Sequence, residues 1–210
     1  SNIINACGRI YGPGVFIRSE DGGSNWNSVD LNDVAEMLID LYFWDELNGI
    51  IVGGTSGGFD DSHAIILGTN DGGVNWEVIY EGERNGEWCW KISFPTPEIG
   101  YVSIQSSWWD DAVDEYYLKT TDGGNTWSEH VFYTVAQSAE NGGYSAQGIG
   151  FINEDVGWMG SYFDHPTLMT LDGGATWSES EFGLHVNRIR FLSKSIGYAS
   201  GITVYKYTSD

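Results

Sequence analysis

One turn motif recurs four times along the chain at an almost constant interval. It reads SEDGGSNW at Ser19–Trp26, TNDGGVNW at Thr69–Trp76, TTDGGNTW at Thr120–Trp127 and TLDGGATW at Thr170–Trp177. The aspartates Asp21, Asp71, Asp122 and Asp172 are spaced by 50, 51 and 50 residues, and Thr208-Ser-Asp210 has the start of a fifth copy. A period of this size means one supersecondary unit repeated, each unit burying its apolar face on its neighbours.

A second signature precedes each turn. Phe43, Phe94, Phe151 and Phe191 are each followed six residues later by a glycine (Gly49, Gly100, Gly157, Gly197) and an apolar run. Short alternating stretches such as WKISF precede the phenylalanines, and others such as WEVIY follow the turns. One unit therefore reads strand, turn, strand, loop, strand, Asp-Gly-Gly turn, strand. No segment carries a long helical stripe. Four short strands per repeat is the layout of a β-propeller blade. The expected fold is all-β: one propeller domain over residues 1–210, of about five four-stranded antiparallel blades. Counting strands gives eighteen, with the first blade lacking its inner strand and the last its outer strand.

Each residue of the turn has a structural task. The aspartate accepts main-chain N–H groups in its own turn, the glycines permit positive φ, and the Ser or Thr two residues earlier ties down the incoming strand. The tryptophans Trp26, Trp76, Trp127 and Trp177 have the area to fill the wedge between blades. The pattern S/T-x-D-G-G-x-T-W resembles the Asp-box, or BNR repeat, of sialidases, some other glycoside hydrolases and sortilin-type receptors. With the preceding Phe and Gly-Tyr/Trp it looks most like the photosystem II stability and assembly factor family, over essentially the whole chain. The resemblance implies a box that is a fold element, a pocket on the opposite face, and a protein partner.

Charge narrows the partners. There are 30 acidic residues against 9 basic ones, a formal net charge of -21. Nucleic acid and anionic membrane surfaces both require basic residues, and no run of 18 apolar residues supports membrane insertion. The acidity suits an extracellular, periplasmic or cell-surface setting. Cys7 and Cys89 make no disulfide framework. The abrupt start is expected of a mature or trimmed product, and the cut fifth repeat of a chain that is part of a larger chain or assembly.

The loops between second and third strands, opposite the boxes, hold the candidate site residues. They carry Phe59, Asp60, Asp61 and His63; Trp108, Trp109, Asp110, Asp111 and Tyr116; and Tyr162, Phe163, Asp164 and His165. Each loop sets an aromatic directly before an aspartate. Such side chains can bind a protein surface or stack on sugar rings. Asp60, Asp61, Asp110 and Asp111 are candidate ligands for a divalent cation, with calcium favoured by oxygen donors, although the spacing matches no known calcium loop. No cofactor is otherwise expected. Trp88 and Arg188 are further candidates near the inner strands.

Catalytic motifs are absent: no Gly-x-Ser-x-Gly, His-Glu-x-x-His, phosphate loop or dinucleotide fingerprint occurs. Five arginines and no Arg-Ile-Pro sequence fit sialidase chemistry poorly. The expectation is a non-catalytic scaffold for protein binding or assembly. The alternatives are a lectin-like carbohydrate-binding module using the aromatic loops, and a glycoside hydrolase-like enzyme.

Overall fold

The computed structural model describes residues 2–8, 13–106 and 114–209. Among these, eighteen strands form five antiparallel sheets, the blades of a β-propeller. The chain divides into two compact units, Ser1–Cys89 and Trp90–Asp210. The first unit holds a three-stranded sheet of β1 (Ile4–Gly8), β2 (Val15–Ser19) and β3 (Asn27–Asp30). It also holds a four-stranded sheet of β4 (Met37–Phe43), β5 (Gly49–Gly54), β6 (Ala64–Thr69) and β7 (Glu77–Glu81). Strand β8 (Glu87–Ser93) begins at the unit boundary and joins β9 (Gly100–Ser106), β10 (Glu115–Thr120) and β11 (Ser128–Tyr133). Then come β12 (Ala146–Phe151), β13 (Gly157–Ser161), β14 (Pro166–Thr170) and β15 (Ser178–Leu184). The last sheet is β16 (Arg188–Ser193), β17 (Ile196–Ser200) and β18 (Val204–Thr208). Among the described residues the first blade has three strands and lacks the inner one. The last also has three and lacks the outer one, as the strand count expects.

The four boxes form alike. Asp21, Asp71, Asp122 and Asp172 each accept the hydroxyl of the Ser or Thr two residues earlier, at 2.8–2.9 Å. Each also accepts the backbone N–H four residues later, at 2.8–3.0 Å. The same hydroxyl takes the N–H of the second glycine. Both glycines of every box have φ between 69° and 94°, a region that L side chains rarely adopt. A Cβ on Gly73 would also stand 2.2 Å from the Phe16 ring. The backbone N–H of Asn25 and of Asn75, ahead of their side-chain amides, holds Asp21 and Asp71 down at about 2. Asp122 and Asp172 are lowered first by the hydroxyls of Thr126 and Thr176. These carboxylates are saturated by their own turns.

The six-residue Phe-to-Gly spacing has a geometric cause. Phe43, Phe151 and Phe191 lie directly across their hairpins from Gly49, Gly157 and Gly197, and each ring covers its glycine. A Cβ there would come within 2.4–2.6 Å of the ring in all four hairpins, Phe94 over Gly100 included. The box tryptophan then packs edge-on against the phenylalanine. The ring centroids are 6.2 Å apart for Trp76–Phe43, 6.0 Å for Trp127–Phe94 and 6.1 Å for Trp177–Phe151.

The last blade departs from this register. Gly49, Gly100 and Gly157 face Thr69, Thr120 and Thr170, whereas Gly197 faces Tyr207, one residue short of Thr208. The third strands of the preceding blades bury Leu67, Leu118 and Leu168, and Lys206 is the residue at that repeat position. Burying an unpaired ammonium there would be costly, and a one-residue slip turns it outward. The slip brings in Tyr207, which meets Phe191 edge-on at 5.6 Å and 82°, much as the box tryptophans meet theirs. Asp210, the aspartate of the incipient fifth box, lies outside the described residues.

One helix, α1 (Val135–Asn141), was not expected from the sequence. A capping box opens it: Gln137 N–H donates to the Thr134 hydroxyl, and Thr134 N–H donates to the Gln137 side chain at 2.9 Å. Cys7 is half-buried and Cys89 buried.

Candidate functional site

Within each unit, the box turns occupy one end of the sheets, and the loops between second and third strands occupy the other. The connections from one blade to the next share that second end. In the first unit, Phe59–Asp61 forms a single 3-10 turn after β5, with Asp60 and Asp61 exposed. Phe59 packs edge-on against Trp88 at 4.5 Å, and the Trp88 indole N–H donates to the Ser56 carbonyl at 3.3 Å. Trp88 is only 8% exposed, so it is a packing residue, not an exposed platform. His63 stands between Asn85, 2.7 Å away, and Glu81, 3.4 Å away. Arg84 pairs with the buried Glu87 at 2.6 Å. The short connection 82–86 thus sets Asn85 on His63 of the loop.

In the second unit the corresponding connection, 134–145, is longer and carries α1. Between α1, the loop 162–165 and the strands β11, β14 and β15 lies a pocket of about 420 Å³. Tyr133, Tyr144, Phe163 and His165 form its aromatic wall, and Pro166 and Leu168 extend the apolar surface. Asn141, Asp164 and Glu179 supply its polar groups.

The walls of this pocket are fixed from beneath. Tyr144 is 1% exposed. Its hydroxyl lies 2.8 Å from the Met159 carbonyl and 2.9 Å from that of Pro166, and accepts the Leu168 N–H. His165 Nε2 donates to the Gly143 carbonyl at 3.0 Å, which makes Nε2 the protonated nitrogen. Glu115, 4% exposed on β10, accepts the backbone N–H groups of Tyr144 and of Ser145, the latter at 2.8 Å. Burial pushes the Glu115 carboxyl up to about 7 despite those bonds. Ser145, between these anchors, has φ 52°, and His185 has φ 51°. Both are uncommon conformations for a residue with a Cβ. His185 Nδ1 donates to the Tyr162 carbonyl and Nε2 lies 2.7 Å from Asp164. The carbonyl first, then the carboxylate, raises the His185 pKa. Tyr133 and Tyr144 resist ionisation because of burial, and the fields of Glu115 and Glu179 add to it.

Of the sequence candidates, Phe163, Asp164 and His165 converge on this pocket. Tyr162, 53% exposed, flanks it and stacks edge-on with Phe163. Tyr116 is half-buried on β10, and Arg188 is exposed on β16; neither lines the pocket. Trp108, Trp109, Asp110 and Asp111 lie outside the described residues. Among the described residues no three His, Cys, Asp or Glu side chains gather to hold a metal ion. Sequence reasoning named Glu115 only as part of the loop before β10 and missed Tyr133, Asn141, Tyr144, Glu179 and His185. The spacing Thr134-x-x-Gln137 was the available signal for the helix that completes the site.

No family model matches the sequence, and no curated protein matches it. Solved structures do share its architecture. YCF48 from Cyanidioschyzon merolae is 15% identical, with 99% of this chain and 80% of that one covered and a TM-score of 0.52. An ancestral GH74 enzyme is 13% identical with a TM-score of 0.64, and the match covers 96% of this chain but 26% of the enzyme. A PL25 ulvan lyase is 10% identical, with 99% and 62% covered and a TM-score of 0.57. At these identities the likeness is one of fold, and the fold hosts several functions.

Proposed function

We propose that this protein is a non-catalytic propeller that binds another polypeptide through the loop end opposite its Asp-boxes. The observation that carries this reading is the pocket beneath α1. It is concave and half-open, lined by aromatics and by carboxylates, and anchored on the ends of β11, β14 and β15. Aromatic walls with a polar rim suit protein recognition. Glu115 is the carboxyl raised towards the range of a general acid, but backbone N–H groups occupy both of its oxygens. That favours an anchoring role over an acid–base one. Tyr133 and Tyr144 are buried, so their ring faces are not offered to a sugar, which weighs against a lectin.

Selection from a displayed peptide library tests the proposal. Enriched peptides should bind the wild type and lose affinity with Phe163→Ala. They should keep it with Leu171→Ser, a change at an exposed residue of a box turn. Failure to enrich any peptide, or enrichment insensitive to Phe163, would overturn the proposal. So would turnover of glycosides that a single carboxylate substitution abolishes.

A further inference from the structure

The pocket also states what kind of side chain it takes, given the protein-binding reading on which this step rests. Its two carboxylates differ. Asp164 is engaged by His185 at 2.7 Å. Glu179 stands opposite Leu168 in the β14–β15 ladder and lines the pocket. Among the described residues it has no hydrogen bond or ion pair within the chain. Asp164 and Glu179 line the pocket and no lysine or arginine among the described residues does, so the potential at this wall is negative. The same wall carries aromatic rings: Tyr133, Tyr144 and His165 pack with centroids 5.4–6.2 Å apart. The floor of Pro166 and Leu168, beside Phe163, is apolar.

An aliphatic stem beneath a cationic head matches this sequence of surfaces. Lysine and arginine lay their methylenes on apolar surface and keep the charge at a polar rim. An acidic side chain would meet Glu179 and Asp164 with like charge, and a purely apolar one would leave Glu179 without a partner. The chain's net charge of -21 favours the approach of a basic segment.

We infer that the pocket between α1, the loop 162–165 and β15 receives a lysine or arginine side chain from the bound polypeptide, with Glu179 as its counter-charge.

NMR titration of the full chain with Ac-Gly-Arg-Gly-NH2 and Ac-Gly-Lys-Gly-NH2 tests this. The neutral citrulline and acetyl-lysine versions serve as controls. The expected result is saturable shifts of the Asn141, His165 and Glu179 amides with the cationic peptides and none with the neutral ones. Glu179→Gln should weaken binding about fivefold. Glu77→Gln, the same charge change on β7 of the other unit, should leave it unchanged. Equal weakening by both substitutions would mean diffuse attraction by an acidic surface, and would overturn the inference. So would citrulline binding as well as arginine, or a xylo-oligosaccharide moving these resonances when the peptides do not. Display-selected peptides that need Phe163 but tolerate Glu179→Gln would sink the counter-charge and leave the protein-binding proposal standing.

Discussion

The corner after β7 and the corner after β11 sit at equivalent places in consecutive repeats, yet they are built from different materials. The first is closed by bulk. Trp88 fills the space beside Gly54, where a Cβ would stand 2.3 Å from the indole, and Phe59 packs against the same indole. The second is held by polar anchors, with Glu115 gripping the backbone at Tyr144 and Ser145. The five-residue connection 82–86 sets Asn85 on His63 of the loop, whereas 134–145 adds a helix and borders a pocket. The repeat constrains the sheets and the boxes, and the two corners differ in the length of the blade-to-blade connection.

The largest effect should come from removing the packed corner's filler. Trp88→Ala should cost about 3–5 kcal/mol, as large-to-small changes in a core do. In a chain of this size that lowers Tm by roughly 10 °C. Hydrogen exchange should speed up at Thr55–His63 and stay slow at Tyr144–Ala146. A Tm loss of under about 3 °C would mean that the first corner does not depend on bulk, and the contrast would fail.

The polar corner should instead respond to pH. Folding raises the Glu115 pKa from 4.5 to about 7, so between these values the native state binds the proton that the unfolded state has released. The stabilisation is complete below about pH 4.5 and disappears as pH rises through about 7, by about 3 kcal/mol in all. The box aspartates act in the opposite sense and in a lower window, losing their contribution only as pH falls below 3.8 towards about 2. Unfolding curves of wild type and Glu115→Gln should therefore diverge between pH 4.5 and 7. Trp88→Ala should run parallel to wild type there. Parallel Glu115→Gln and wild-type curves would show that burial does not govern this carboxyl.

The blades were legible in the sequence because their determinants are local. Asp122 finds all its partners within four residues, and Phe151 faces a glycine at a hairpin spacing. Fold class, strand count and the incomplete outer blades follow from such spacings. The pocket was legible only in its loop: Phe163, Asp164 and His165 are contiguous, but Glu115, Tyr144 and Glu179 reach it from strands and turns far apart in sequence. The register slip of β18 shows the other limit. The repeat predicts Thr208 opposite Gly197, and a single lysine at a leucine position overrides it.

A smaller effect should isolate the helix. Thr134→Ala removes the hydroxyl that accepts the Gln137 N–H, which costs about 1 kcal/mol in a typical cap. Because α1 has only seven residues, the loss should appear as faster exchange within α1 and weaker peptide binding, with little change in Tm. Unaltered binding would mean that the pocket does not need the helix that distinguishes the second corner from the first.

The smallest effect concerns the ion pair at the rim. Asp164 is largely exposed, so water and salt screen its attraction to His185, and Asp164→Asn should leave Tm unchanged. It should still move His185. The Tyr162 carbonyl is the first cause of the raised pKa and Asp164 the second, so an NMR titration should show that pKa falling part of the way towards its ordinary value. A complete fall would assign the shift to Asp164 alone. No fall would place the whole effect on the backbone carbonyl of Tyr162.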